Sequence, residues 1–117
     1  MIRLVIDTDP GVDDAHALMA ALVHPNAQVD ALTTVSGNVP LARTTANACA
    51  IADAMDADVP VYAGCARPLI SPPSRATEFH GEDGLGDSGL PPSERKVEAE
   101  HAVNALIRLG NEAPGER

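Results

Sequence analysis

The order of apolar runs and breaks along the chain is the feature that most constrains its fold. A short continuous apolar run, Leu4-Val5-Ile6, is typical of a strand that is covered on both faces. An Asp-Pro-Gly break follows, and apolar residues then recur with the spacing of an amphipathic helix that ends at His24-Pro25-Asn26. These apolar residues are Ala15, Leu18, Met19, Leu22 and Val23. The first two predicted elements are therefore a strand and a helix.

The same alternation continues through the rest of the chain. Residues 29–35 are rich in β-branched side chains and predict a second strand, and residues 60–63 predict a third. An Ala-rich helix is predicted from Pro40 to about Met55, and a last helix from near Val97. The apolar face of this last helix carries Ala99, Ala102, Val103 and Leu106. The pattern predicts an α/β fold with an open, mostly parallel sheet and crossover helices.

Residues 64–95 interrupt this pattern. They are rich in proline and glycine and show little periodicity. So long an irregular stretch inside a compact domain is usually functional or disordered. We therefore predict a long Gly/Pro-rich loop over residues 64–95 within one domain that includes all of residues 1–117.

Composition narrows the classes of function. The chain has 8 basic and 17 acidic residues and a net charge of −9, which argues against binding to nucleic acid. No apolar run is long enough to cross a bilayer, and no signal peptide precedes the first strand, so we expect a cytoplasmic location and no membrane partner. Cys49 and Cys65 lack metal-type or redox-type spacing and are expected to be reduced thiols.

Four carboxylates lie within residues 7–14, and this acidic segment carries most of the chemistry. Asp7 and Asp9 end the first strand, whereas Asp13 and Asp14 occupy the first turn of the helix. A helix N-terminus stabilises a carboxylate by roughly 0.3–1 kcal/mol, but two like charges about 4 Å apart repel by roughly 4 kcal/mol at an effective dielectric near 20. A hard divalent cation accounts for four carboxylates better than a helix dipole does. Helix capping combined with a solvated acidic loop remains the alternative.

The predicted topology gathers these residues at one edge of the sheet. The carboxyl ends of parallel strands joined by right-handed crossovers lie along the same edge, and ligands bind outside them. Asp7, Asp9, Asn38 and Gly64 fall at those ends. The sequence therefore predicts a ligand site there.

Four segments, in order along the chain, resemble the inosine/uridine-preferring nucleoside hydrolase family. The segment Asp7-Thr8-Asp9-Pro10-Gly11-Val12-Asp13-Asp14-Ala15 is similar to the family signature, and this match is the most specific. Thr33-Thr34-Val35-Ser36-Gly37-Asn38 resembles the end of the family's second strand. Val61-Tyr62-Ala63-Gly64-Cys65-Ala66-Arg67-Pro68-Leu69 resembles the third strand and its exit, and His80-Gly81-Glu82-Asp83-Gly84-Leu85-Gly86 resembles the family's mobile loop.

The resemblance implies a metal site and a reaction. Asp9 and Asp14 would bind Ca²⁺, and Asp9 would also act as general base on a calcium-bound water. This water would attack the anomeric carbon of a ribonucleoside through an oxocarbenium-like transition state, which releases the free base and ribose. Asp7 would orient the residues that bind the metal.

The resemblance also assigns roles around the substrate. Asp13 and Asn38 would hydrogen-bond the ribose hydroxyls, and His80 would lie near the leaving base or take part in loop closure. The implied fold is that of nucleoside hydrolases, which is Rossmann-like and longer than this chain, so residues 1–117 would be its N-terminal portion, a truncated piece. We therefore expect the 117-residue chain to be inactive by itself, and a full-length version to be a homo-oligomer.

Two other classes of function remain open at this point. One is a different metal-dependent α/β hydrolase of the phosphohydrolase type, which carries Asp-x-Asp after its first strand, although Pro10-Gly11 breaks the pattern usual in that class. The other is a non-catalytic binding or assembly module.

Overall fold

A computed structural model describes residues 1–117 and contains one parallel sheet of three strands in the order β1-β2-β3. The strands are β1 (Ile2–Thr8), β2 (Ala27–Thr34) and β3 (Val61–Ala63). The helices are α1 (Val12–Val23), α2 (Leu41–Ala54), α3 (Thr77–His80) and α4 (Ala102–Glu112). The predicted α/β class and the parallel sheet with crossover helices are confirmed. None of the helices combines the length and the apolar character needed to span a membrane.

Helices cover both faces of the sheet because neighbouring residues of a strand point in opposite directions. Leu32 of β2 belongs to a core formed with α1 and α2, whereas the preceding Ala31 packs with α4. The larger core contains Leu18, Leu32, Ala48, Cys49, Ile51, Ala52, Val59, Val61 and Leu85. The smaller core contains Ala31, Tyr62, Ala102, Ala105 and Leu109. The sheet is therefore the middle layer of three.

The register of the sheet aligns the three carboxyl ends. Thr8 pairs with Thr34, and Thr34 pairs with Ala63, so all three strands end at the same level. The Gly64 N–H continues this edge with a hydrogen bond of 2.8 Å to the Thr34 carbonyl. The turns that follow the strands are therefore neighbours in space, as the sequence predicts.

A register shift between β1 and β2 leaves Asp30 of β2 without a partner residue in β1. Leu4 pairs with Val29 but Val5 pairs with Ala31, so Asp30 is one extra residue opposite β1. The Asp30 carboxylate accepts hydrogen bonds from Arg3 at 2.9 Å and from Arg117 at 2.7 Å. The end of the chain is thus tied to the first two strands.

The last helix differs from its prediction in start and in buried face. It begins at Ala102 and not near Val97, because the Glu98 N–H donates to the Val61 carbonyl at 2.9 Å and keeps this segment extended beside β3. His101 caps the helix, with its ring Nδ1 accepting the Val103 N–H at 3.2 Å. The buried residues are Ala102, Ala105 and Leu109, whereas Val103 and Leu106 are 48% and 37% exposed.

The Gly/Pro-rich segment 64–95 contains no strand and only the short helix α3. Its end is fastened by Arg95, which donates to the Asp53 carboxylate at 3.0 Å. The same guanidinium donates to the carbonyls of Val59 and Ala57 at 2.9 and 2.6 Å. Leu85 also anchors the segment, since its side chain is part of the larger core.

Truncation of a core side chain tests this packing. Ile51 is fully buried, so Ile51→Ala should lower the free energy of unfolding by about 2–5 kcal/mol through lost burial and a cavity. Ile107 on α4 is 59% exposed, and Ile107→Ala should change it by less than about 0.5 kcal/mol. Urea unfolding followed by circular dichroism measures both, and equal losses for the two variants would contradict the described core.

Candidate functional site

Two hydrogen bonds, both donated by Asn38 and accepted by Asp9, join the turn after β2 to the turn after β1. The Asn38 backbone N–H donates to Asp9 Oδ2 at 2.8 Å, and the Asn38 side-chain Nδ2 donates to the Asp9 carbonyl at 2.9 Å. The orientation of the Asp9 carboxylate is therefore fixed from a neighbouring strand. Its other oxygen, Oδ1, accepts no hydrogen bond from the protein.

Gly37 makes this contact possible. A Cβ atom at position 37 would come within 2.0 Å of Asp9 Oδ2, far closer than two non-bonded atoms can approach. The Ser-Gly-Asn turn therefore needs glycine at its centre so that the carboxylate of Asp9 can lie against the backbone.

Asp14 caps the first helix. Its Oδ2 accepts the Gly11 N–H at 3.1 Å, which satisfies a backbone donor just before the helix begins. The capping role considered from the sequence is thus present for Asp14, while its Oδ1 remains without a protein donor. Asp13, in the same turn, projects outward with a side chain that is 83% exposed.

Asp7 has a different environment. It pairs in register with Thr33, and the Thr33 hydroxyl donates to Asp7 Oδ1 at 2.6 Å. Ala31, two residues before Thr33, packs against α4, so the Asp7 carboxylate lies on the α4 side of the sheet. Its contact is with β2 and not with the turn that holds Asp9.

His80 reaches the acidic segment from a distant part of the chain. Its Nδ1 accepts the Val12 backbone N–H at 3.0 Å and lies 3.9 Å from Asp13 Oδ1. Because Nδ1 is an acceptor, the ring proton of the neutral imidazole resides on Nε2. A Cβ atom at position 11 would lie 2.6 Å from this Nδ1, so glycine at that position allows the ring to approach.

Residues 80–87 form a small closed loop after α3. The Gly86 N–H donates to the His80 carbonyl at 2.6 Å, and the Asp83 carboxylate accepts the N–H groups of Leu85 and Asp87 at 2.8 and 2.9 Å. Burial by itself would raise the pKa of Asp83, but these hydrogen bonds outweigh it and hold the pKa below its ordinary value. The ionised Asp83 carboxylate therefore organises the loop.

The acidic residues supply oxygen donors of the kind that a hard divalent cation binds. Asp7, Asp9 and Asp14 each use one carboxylate oxygen in a protein hydrogen bond and leave the other without a protein donor. Among residues 1–117, however, no group of three or more His, Cys, Asp or Glu side chains is arranged to hold a metal ion. The donor chemistry is thus of the kind that calcium binds, but the side chains of residues 1–117 do not gather into a set of three.

The structure brings most of the predicted site residues to one edge and adds others. Asp9, Asp13, Asp14, Asn38 and His80 surround the turn between β1 and α1, whereas Asp7 points toward the α4 side. Three polar residues near this edge were not predicted from the sequence: Thr33, Asn47 and Thr8. The Thr8 hydroxyl is buried and has no hydrogen-bond partner. A polar residue among the buried alanines of α2 was the one available signal for Asn47.

Comparison with known proteins gives a consistent family. Residues 4–117 match the sequence model described as "Inosine-uridine preferring nucleoside hydrolase". A Leishmania major protein named "Inosine-uridine preferring nucleoside hydrolase" is 40% identical over 109 residues, which cover 92% of this chain and 35% of that protein. Uridine nucleosidase 1 of Arabidopsis thaliana is 42% identical over 116 residues, which cover 97% of this chain and 34% of that protein.

Solved structures agree with the sequence matches. A plant nucleoside hydrolase superposes with a TM-score of 0.91 at 40% identity and covers 98% of this chain. An inosine-guanosine nucleoside hydrolase superposes with a TM-score of 0.89 at 38% identity and covers 97%. The chain spans 37% and 36% of the lengths of these two proteins, about the same share as for the curated relatives.

Substitution of Gly37 tests the contact with Asp9. Gly37→Ala should displace the carboxylate and lower the free energy of unfolding by about 1–3 kcal/mol, because a Cβ atom there overlaps Asp9. Gly110→Ala in α4 is the matched control, because a Cβ atom at position 110 would meet no atom within 4 Å. This substitution should raise the free energy of unfolding by roughly 0.5–1 kcal/mol, since alanine favours a helix more than glycine does. Chemical denaturation checks both signs, and a neutral Gly37→Ala would refute the close approach.

The Asp83 hydrogen bonds predict how the loop responds to pH. Since the pKa of Asp83 is lowered in the folded state, its stabilising effect is complete above the ordinary aspartate pKa and is lost as pH falls through the lower value. The amide resonances of Leu85 and Asp87 should therefore shift together as the pH falls below the ordinary aspartate pKa. Asp83→Asn should abolish this shared transition, and its persistence in that variant would assign it to another group.

Proposed function

Because the chain belongs to the inosine-uridine preferring nucleoside hydrolase family, we propose that its acidic edge serves the hydrolysis of the N-glycosidic bond of ribonucleosides to free base and ribose. The observation that carries the proposal is the pair of hydrogen bonds from Asn38 to Asp9, through which the motifs after two neighbouring strands form one polar surface. The relatives support a ribonucleoside substrate, since one is named an inosine-uridine preferring nucleoside hydrolase and another a uridine nucleosidase.

Asp9 is proposed as the general base. Its carboxylate is held through Oδ2 by the Asn38 N–H, so that Oδ1 can accept a proton from a water molecule that attacks the anomeric carbon. As the C–N bond breaks, positive charge develops on the ribose, and nearby carboxylates stabilise the resulting oxocarbenium-like transition state. Neutralisation of Asp9 would remove both effects.

Asp9 and Asp14 are the proposed calcium ligands. Asp14 would bind through Oδ1, which has no protein donor, whereas Asp9 would bind through a lone pair of Oδ2 and leave Oδ1 to act as the base. When bound, Ca²⁺ would hold the water and the ribose hydroxyls and lower the pKa of the water modestly. Asp7, held by the Thr33 hydroxyl on the α4 side, is proposed to support the site electrostatically from behind.

Asp13 and Asn38 are proposed to bind the ribose. The exposed carboxylate of Asp13 can accept a hydrogen bond from a hydroxyl group. The Asn38 Nδ2 donates to the Asp9 carbonyl, and the side-chain oxygen of Asn38 remains free to accept a hydrogen bond from a second hydroxyl. Two such acceptors would suit a vicinal diol better than a deoxyribose.

His80 is proposed to act at the leaving base. Because Nδ1 accepts the Val12 N–H, the proton on Nε2 is directed away from the helix and is available to a nitrogen or oxygen of the base. A hydrogen bond to the departing base would stabilise the negative charge that develops there.

The remaining parts of the proposal concern the whole protein. Since the chain spans about a third of its relatives' length, we propose that residues 1–117 alone are inactive and bind calcium weakly. The cytoplasmic location and the homo-oligomeric state of a full-length version remain predictions from the sequence.

Calorimetric titration of the chain with ribose tests the site. Ribose should bind in the presence of calcium and not in the presence of a chelator, because the proposed metal holds the hydroxyl groups. Asp9→Asn and Asp14→Asn should each reduce the apparent affinity by roughly tenfold or more. Asp56→Asn, at an exposed position just beyond α2, is the matched control and should leave binding unchanged.

Two outcomes would count against the proposal. Calcium-independent ribose binding that survives Asp9→Asn would contradict the metal-assisted site. Release of free base from inosine or uridine above that of an Asp9→Asn control would contradict the proposed inactivity of the chain while supporting its chemistry.

A further inference from the structure

Asn47 joins two backbone segments that the proposed reaction needs in fixed positions. It lies in α2, and its side chain is 6% exposed. Its Nδ2 donates to the Asp83 carbonyl at 2.7 Å and to the Pro10 carbonyl at 3.3 Å. One amide group therefore links the closed loop 80–87 to the turn that carries Asp9.

The loop transmits this attachment to His80. The Gly86 N–H donates to the His80 carbonyl, and the Asp83 carboxylate accepts two N–H groups within the loop, so residues 80–87 are cross-linked to one another. Fixing the Asp83 carbonyl thus restricts where the His80 ring can lie. Asn47 does not touch His80 and acts on it through the loop.

The approach of the loop to Asn47 depends on glycine. A Cβ atom at position 84 would lie 3.0 Å from Asn47 Nδ2 and 3.0 Å from a methyl group of Val39, and Gly84 has a φ angle of +82°. Both the close contact and the left-handed backbone favour glycine over any other residue. Gly84 and Asn47 therefore form a matched contact.

We propose that Asn47 is a positioning residue for His80: by tying the Asp83 carbonyl to the Pro10 carbonyl, it keeps the imidazole against the Val12 N–H and so sets which ring nitrogen carries the proton. This inference rests on the proposed function for the role of His80, but the structural link itself can be measured without substrate. If Asn47 only filled space and satisfied its own amide group, its replacement would leave the tautomer of His80 unchanged.

Nuclear magnetic resonance of the ligand-free chain tests the link. In the unmodified chain the His80 ring should show an unprotonated Nδ1 and a protonated Nε2. Asn47→Leu keeps the branched shape and the number of heavy atoms of the side chain and removes both donated hydrogen bonds. It should therefore mix the two tautomers and speed exchange of the Val12 amide about tenfold.

Thr45→Val provides the matched control. Thr45 is buried on the same helix, and its hydroxyl is hydrogen-bonded to that of Thr34 at 2.7 Å and not to the loop or the turn. This variant also loses a buried hydrogen bond, yet it should leave the His80 tautomer unchanged and Val12 exchange within about twofold. An equal response to Thr45→Val and Asn47→Leu would overturn the proposal, as would no response to Asn47→Leu.

A second variant carries the test if Asn47→Leu does not fold. Gly84→Ala leaves α2 intact and pushes the loop away from the Asn47 amide, so it should change the His80 tautomer in the same way. An unchanged tautomer in Gly84→Ala would overturn the proposal. Failure of ribose to bind the unmodified chain with calcium would instead count against the proposed function and would leave these measurements of the loop intact.

Discussion

The contact between Asp9 and Asn38 is the interaction on which the rest of the site depends. Parallel strands that end in register bring their following turns together, but they do not set the direction of a side chain. The two hydrogen bonds over Gly37 supply that direction, and one of them is strengthened by the carboxylate charge. The turn after β1 and the turn after β2 are therefore joined into one surface.

This arrangement also explains how the chain tolerates an acidic segment in the folded state. Asp7, Asp9 and Asp14 each receive one protein donor, from a hydroxyl, a backbone N–H and the N-terminal region of α1 respectively. Such hydrogen bonds offset part of the repulsion between like charges without occupying the second oxygen of any carboxylate. Helix capping and metal binding are thus compatible for Asp14, since they use different oxygens.

Local patterns predicted the parts of the fold that local interactions determine. The first strand and helix lie where the apolar spacing placed them, and α2 follows Pro40 as expected. The predicted start of α4 was wrong because the Glu98 N–H donates to the Val61 carbonyl of β3. This contact joins residues that are 37 positions apart, and the periodicity of the sequence does not encode it. Asn47 was missed for the same reason, because its partners are distant carbonyl groups, and only the family resemblance predicted a role for His80.

Asn47 and Leu85 both hold loop 80–87 in place, but they stabilise it in different ways. The two hydrogen bonds of Asn47 contribute about 1 kcal/mol each, whereas burial of Leu85 contributes roughly 1.5–3 kcal/mol. Of the two hydrogen bonds of Asn47, one holds the Asp83 carbonyl of the loop and the other holds the Pro10 carbonyl outside it. Burial of Leu85 therefore contributes more to closing the loop than Asn47 does. Leu85, an apolar side chain that tolerates small shifts, provides much of this closure. Asn47 provides direction, because hydrogen bonds to fixed carbonyls weaken steeply with misalignment. Leu85 therefore contributes most of the attachment of the loop, whereas the proposed role of Asn47 concerns the position of His80.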